Sequence, residues 1–224
     1  MSRSVIAIPS ETTYDWLLHK HYAKRIPQIV YAYGVFEDQV MQGVITYGIP
    51  ASQSLTRGIC GDQYKDQVVE LNRLCLLKGH DENLASYFVA QTLRMLPKPL
   101  IVVSYADSSM GHVGYVYQAT NFLYTGLSAK RTEWREKDVS TGEILNTHSR
   151  TVVGHYSHEK RVASPERFAQ IDRPRKHRYI YFVGSRKQKK EFANALNYSV
   201  EPYPKGDTRR YDDGESVPQQ TTFL

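Results

Sequence analysis

The chain has 224 residues, 41% of them hydrophobic and 23% charged, with a formal net charge of +6. This is enough apolar material for one packed domain, which excludes wholesale disorder. No run of about 18 apolar residues occurs, and the apolar stretch near the N-terminus is too short for a signal peptide, so a cytoplasmic protein with no membrane span is expected. Residues 5–8 predict a first strand. A helix is expected over 12–22, capped by Thr12 or Thr13, with Trp16 and Leu17 inward. Two strands follow, 29–36 and 40–47, joined by the polar turn Glu37-Asp38-Gln39. Residues 50–65 read as a loop. Residues 68–77 form a strong strand pattern in which Glu70, Asn72 and Leu74 share a face.

An amphipathic helix is expected over 83–96 and is stopped by Pro97 and Pro99. The apolar run 100–105 reads as a buried strand. A short helix over 111–120 and a strand over 122–128 come next. Hairpin character over 131–155 centres on the turn Ser140-Thr141-Gly142. Ser164 and Pro165 suggest the start of a short helix over 164–171. A strand over 179–183 and a helix over 186–196 close the ordered part. The expected fold is α/β, a mixed twisted sheet with helices on both faces. One domain over 1–198 is expected, with a basic segment at 160–198 and an irregular tail at 199–224.

Cys60 and Cys75 form neither a close pair nor a metal knuckle, so both read as reduced thiols. The charge is unevenly placed. Residues 160–190 hold 11 Lys and Arg against Glu166 and Asp172. Basic charge in one block suits a polyanion, because each neutralised phosphate releases counterions. Arg173, Arg175, Lys176 and Arg178, with Arg186 and Lys187, are the candidate contacts to a nucleic-acid backbone. Tyrosine is abundant, 17 against 7 phenylalanines, and a tyrosine ring can stack on a base.

Chemistry is densest over residues 104–122. There a strand end delivers Ser104, Tyr105 and Asp107, a loop carries Gly111, His112 and Gly114, and a helix carries Tyr117, Gln118 and Asn121. Strand ends of this kind are where α/β sheets bind ligands. Glycines there let a ligand or another stretch of backbone come close. The histidines His19, His21, His148, His155 and His158 suit iron or zinc by chemistry, but they form no tight ligand pattern.

The stretch Ser-Tyr-Ala-Asp…Gly-His-x-Gly…Tyr-Gln-Ala-x-Asn-Phe-x-Tyr-x-Gly resembles the signature of the Mom family. The likeness extends upstream through His21-Tyr22 and Glu70-Leu71-x-Arg73-Leu74. Downstream it takes in Lys176-His177-Arg178-Tyr179, Arg186-Lys187 and Pro202-Tyr203-Pro204-Lys205. Family members are phage proteins that convert DNA adenine to a methylcarbamoyl derivative at its exocyclic amine, which protects phage DNA from host restriction. The family is itself similar to the GNAT acyltransferases, and the element order fits that fold.

The resemblance implies a catalytic set of His21, Tyr22, Glu70, Ser104, Asp107 and Tyr117. Tyr117 would protonate a leaving thiolate, and Asp107 or His21 would take the amine proton. An adenine amine is a poor nucleophile held inside the duplex, so the base must be extruded or the strand locally melted. Tyr22, Tyr105 and Tyr124 are candidates to stack on it. Asn72, Ser104 and Gln118 are candidates to bond its edge, and Arg73 to neutralise an anion. Gly111, His112, Gly114 and Asn121 complete the substrate set.

An acyl-CoA-type donor and iron are the cofactors that the resemblance raises, with His21, Tyr22 and His112 as candidate iron ligands; the residues fix neither. Acyltransferases of that superfamily cradle a diphosphate on a glycine-rich basic loop. Here the matching stretch is Lys78-Gly79-His80-Asp81-Glu82-Asn83, whose acids oppose one. The expected partner is double-stranded DNA. Acyl transfer to another amine and non-catalytic DNA binding are the alternatives.

Overall fold

The computed structural model describes residues 2–145, 147 and 149–206. Seven strands form one sheet in the order β1-β2-β3-β4-β5-β9-β6. They are β1 (Arg3–Ala7), β2 (Tyr31–Glu37), β3 (Val40–Gly48), β4 (Val68–Leu76), β5 (Leu100–Asp107), β6 (Leu123–Leu127) and β9 (Lys176–Val183). Every neighbouring pair is antiparallel except β4 and β5, which run parallel. The β2–β3 turn falls at Asp38 and Gln39, both at positive φ, which matches the right-handed twist of a hairpin.

Helices cover both faces. On one face, α2 (Leu84–Met95) and α3 (Tyr115–Ala119) pack Phe88, Val89, Leu93 and Val116 against Tyr47, Leu71, Val102 and Tyr179. On the other, α1 (Gln53–Cys60) and α6 (Arg186–Ala195) pack Ile59 and Phe192 against Val68, Ile101, Ile180 and Phe182. Both cysteines are buried, and burial raises each thiol to about 11, so neither is a ready nucleophile. None of the described helices is long and apolar enough to cross a membrane.

Several elements differ from expectation. The segment read as a loop over 50–65 contains α1, which begins where the Ser52 hydroxyl accepts from the Leu55 amide. Its polar composition hid a helix that buries only Thr56, Ile59 and Cys60. The helix expected over 12–22 is broken into a 3₁₀ turn (Ser10–Thr13) and a π turn (Trp16–Lys20). Trp16 and Leu17 are buried there, as the pattern predicted. The helix expected over 164–171 is one turn, closed on the Ser164 carbonyl by the Arg167 and Phe168 amides. The chain then becomes β8 (Phe168–Arg173), because β7 (Arg131–Glu136) offers it an antiparallel partner.

β7 and β8 belong to an arm, residues 128–175, inserted between β6 and β9. The hairpin character expected over 131–155 is present only in part. Lys137 bridges Ile144 around the predicted turn, and α4 (Ser149–His155) and α5 (His158–Ala163) follow. Val152 and Phe168 are buried inside the arm, and Arg135 and Arg161 are buried with them. Arg135 pairs with Glu133 at 2.6 Å, and Arg161 lies over the Trp134 ring. The chain from 199 to 206 has no regular structure but is packed. The Glu201 amide donates to the Tyr124 carbonyl, and the Tyr203 hydroxyl donates to the Phe122 carbonyl. The rest of the expected tail, 207–224, lies outside the described residues.

Gly114 opens α3 at φ +89, and a Cβ there would stand 2.4 Å from the Tyr179 ring. The close approach at this glycine is therefore to the sheet. Gly114→Ala is expected to lower the unfolding free energy by about 1–3 kcal/mol. The readout is the urea midpoint at constant m; an unchanged midpoint would show that α3 is not seated by this contact.

Candidate functional site

The site begins where two strands part. β4 and β5 pair from Val68↔Ile101 to Leu71↔Ser104, and there the register stops. Yet β4 runs on to Leu76 and β5 to Asp107. The Ser104 hydroxyl, fully buried, donates to the Leu71 carbonyl at 2.9 Å and pins the fork at its last rung. Beyond the pin, β4 also slips against β3, with Thr46 opposite Arg73 and Tyr47 opposite Leu71. The residue passed over is Asn72. Such a bulge re-aims side chains, and Glu70, Asn72 and Arg73 all line the cleft.

Two adjoining cavities fill the fork, of about 460 and 660 Å³. They share a floor of Tyr22, Glu70, Asn72, Arg73, Asp107 and Lys176. The inner one adds His21, Tyr105, His112 and Tyr117; the outer one is walled by the arm through Arg131, Arg135, Arg150 and Arg173. Volumes of this order suit a ligand the size of a nucleotide.

The titratable groups are held in distinct states. The His21 ring Nδ1 accepts from the Ala23 amide at 3.0 Å, which puts the ring proton on Nε2. Burial, reinforced by Arg73, His112 and Lys176, lowers its pKa to about 3, so the ring is neutral and offers an N–H. The ring stacks on Tyr22 at 4.3 Å, and Tyr22 meets His112 edge-on at 6.4 Å. Burial would raise the Asp107 carboxyl, but Lys176 at 2.5 Å and the Ser109 hydroxyl at 2.6 Å overcome it and hold it below its usual range. Asp107 is thus a weak base. Burial raises the Glu70 carboxyl despite the opposing charges of Arg73, Lys176 and Arg150. It is the more basic of the two acids. Burial pushes the Tyr117 phenol up to about 12 against a hydrogen bond with Ser104, so it stays protonated. Arg73 donates through Nη1 to the Asn72 carbonyl at 2.6 Å, and its buried Nε has no hydrogen-bond partner among the described residues.

Of the residues singled out from sequence, His21, Tyr22, Glu70, Asn72, Arg73, Tyr105, Asp107, His112 and Tyr117 line one cleft, joined by Arg173, Lys176 and Arg178. Others lie outside its walls. Ser104 is the pin. Gly111 ends a 3₁₀ turn at φ +68, and Asn121 follows the Thr120 cap of α3 at φ +60. Gln118 donates to the Tyr179 hydroxyl and the Pro204 carbonyl. Tyr124 is buried with its hydroxyl on His177. Arg175 spends its guanidinium on the carbonyls of Ser128 and Leu127.

Arg186 and Lys187 open α6, after the end of β9 that pairs Val183 with Leu100. The cleft lies at the other end, where Lys176 pairs with Asp107. Seven strand residues separate the two ends, roughly 20 Å at the usual rise. Sequence reasoning missed Arg25, Arg131, Arg150 and Tyr198 as lining residues. No spacing marks them: Arg131 and Arg150 come from the arm, Arg25 from the segment before β2 and Tyr198 from the chain after α6.

Among the described residues, no group of three or more His, Cys, Asp and Glu side chains is placed to hold a metal ion. His148 lies outside those residues. Lys176 already neutralises Asp107, and Nδ1 of His21 is occupied, so this set does not fit iron. The loop before α2 does not fit a diphosphate either. Asp81 is paired with Arg3 at 2.6 Å, and the Leu84 amide already donates to the Asp81 carbonyl.

The family described as the Mom protein family matches residues 3–205. The chain is 29% identical over 211 residues to the methylcarbamoylase Mom of Escherichia phage Mu, covering 87% of this chain and 83% of that one. Among solved structures, a GNAT-family acetyltransferase from Bacillus cereus is 13% identical at a TM-score of 0.41, covering 81% of this chain and 98% of that one. An acetyltransferase from Salmonella typhimurium solved with acetyl-CoA is 10% identical at 0.45, covering 84% and 98%.

The His21 ring is expected to titrate near 3, below the ordinary value of about 6.5. The folded value is depressed, so the unfolded chain binds the extra proton first. The contribution to stability is fully present above about pH 6.5 and is lost as pH falls toward the folded value. Nitrogen NMR of the ring through the acid range checks this, and a midpoint near 6.5 would mean that the inner cavity is wet.

Proposed function

The chain belongs to the Mom protein family, and on that premise we propose that it transfers a methylcarbamoyl group to the exocyclic amine of adenine in DNA. The observation that carries this reading is the meeting of Glu70, Arg73, His21 and Tyr117 at one strand fork, under a rim of arginines. The adenine amine is weakly nucleophilic because its lone pair is delocalised into the ring. Three kinds of help are needed: a base for the amine proton, donors for the oxygen that becomes negative, and an acid for the leaving group.

Glu70, with its raised basicity, takes the amine proton as the nitrogen bonds to the donor's carbonyl carbon. Arg73 and the Nε2–H of His21 stabilise the tetrahedral oxyanion. Tyr117 protonates the leaving group as its bond to that carbon breaks, and the urea-type product keeps the remaining amine hydrogen. Asp107 holds Lys176 in the floor and positions it. Tyr22 and Tyr105 give the base flat partners. The donor is of the acyl-transfer class. The acids at Asp81 and Glu82 favour one that does not rely on a CoA diphosphate at the start of α2.

DNA lies along the arm. Arg131, Arg150 and Arg173 are exposed on the rim of the cleft, where they meet the phosphates flanking an extruded adenine. Such contacts fix position and carry no sequence information.

DNA from cells making the protein is expected to yield a heavier deoxyadenosine on nuclease digestion and mass spectrometry; only ordinary nucleosides at good expression would sink the reading. Glu70→Gln is expected to abolish that product while leaving duplex affinity near normal. The double change Arg131→Ala and Arg150→Ala is expected to lower the salt slope of duplex binding by about 1 for each lost phosphate contact. Arg186→Ala with Lys187→Ala should change it less. The reverse order would put the DNA on α6.

A further inference from the structure

The segment from His21 to β2 has no regular secondary structure beyond a tight turn, yet it borders the outer cavity. It is braced at one point. The Asn72 side chain donates through Nδ2 to the Gln28 carbonyl at 2.9 Å and accepts on Oδ1 from the Thr46 hydroxyl at 2.6 Å. The Val30 amide donates to the Tyr47 carbonyl at 2.7 Å. Gly48 makes room beneath, since a Cβ there would stand 1.8 Å from the Gln28 carbonyl oxygen. The Asn72 amide is therefore committed to the strap, although it borders both cavities.

What the braced strap presents is apolar. Ile26 is 39% exposed and precedes Pro27; Ile49, just past β3, is 52% exposed. Both line the same rim as Arg25, Arg131 and Arg150. Two exposed isoleucines among arginines suit an apolar occupant that is also an anion's neighbour, and a stacked base pair under its phosphates is one. A base that reaches Glu70 and Tyr117 has left a gap in its duplex. Proteins that open the stack commonly place an apolar side chain in such a gap.

Resting on the DNA-adenine reading above, we infer that Ile26, braced through Gln28 by Asn72, is the wedge that enters the duplex where the target adenine has turned out, with Ile49 against the neighbouring pair. The wedge raises the fraction of duplex whose adenine is extruded. It gives nothing to a strand that is already single.

The test compares wild type with Ile26→Ala, in an extract of cells whose own DNA the wild type modifies, on three substrates: a paired duplex, the same duplex with an abasic site opposite the target adenine, and the single strand. Ile26→Ala is expected to lower the ratio of paired-duplex to single-strand modification by about tenfold or more. The abasic-opposite duplex should recover most of the loss. In parallel, 2-aminopurine placed beside the target adenine should brighten when wild type binds the duplex, because its stacked neighbour has turned out, and stay dim with Ile26→Ala. An unchanged ratio, or a loss shared equally by all three substrates, overturns the wedge while the modification reading stands. Failure of wild type on all three overturns the modification reading and the wedge together.

Discussion

Four rungs of parallel pairing, Val68↔Ile101 to Leu71↔Ser104, hold β4 against β5, and the Ser104 hydroxyl ties the last rung to the Leu71 carbonyl. Beyond it the strands diverge: Arg73 and Asp107 stand on the two free ends, Glu70 sits one rung short of the pin, and His21, Tyr22 and Tyr117 are brought in from neighbouring segments. A continuous sheet here would have no interior volume. The buried core beneath, from Tyr47 through Phe88 to Tyr179, makes the divergence stable. Both strand roots are anchored by apolar burial, so only the tips part. The Asn72 bulge belongs to the same device, because it sets Arg73 beside Glu70 and brings the strap to the mouth.

The electrostatics follow from that geometry. Two carboxylates sit in one floor and are pushed apart in basicity. Asp107 is quenched by Lys176 and Ser109, while Glu70 is left partly dehydrated. His21 is neutral because its Nδ1 is committed to a backbone amide and its surroundings are dry and cationic. A site with one raised acid, one quenched acid, one neutral imidazole and a buried phenol has its proton roles separated before any ligand enters.

The arm supplies what the sheet lacks. It carries a small core of its own around Val152 and Phe168 and lends arginines to a cavity whose floor balances Arg73 and Lys176 against Glu70 and Asp107. The basic block found in the sequence is split by the fold. Its middle part, Arg173 to Arg178, reaches the cleft or its edge, whereas Arg186 and Lys187 stand at the far end of the sheet. Charge in one stretch of sequence is not charge on one surface, since a strand carries it the length of a domain in seven residues.

The sequence by itself determined the main strands, because strand periodicity and buried apolar runs are local properties, and it determined α2 through amphipathic spacing and the prolines that stop it. It also marked the chemical groups at the centre of the inner cleft. His21-Tyr22, Glu70, Arg73, Asp107 and Tyr117 lie in short motifs whose residue types carry chemistry wherever they meet. Tertiary structure alone decided that they meet, since the fork depends on where two distant strands stop bonding. It decided that Ser104 is a pin and Asn72 a brace, because a hydrogen-bond partner such as Leu71 or Gln28 cannot be read from spacing. It made residues 168–173 a strand by offering β7 as a partner. And it set the proton state of Glu70 and Asp107, which are the same functional group until burial and a neighbouring ammonium distinguish them.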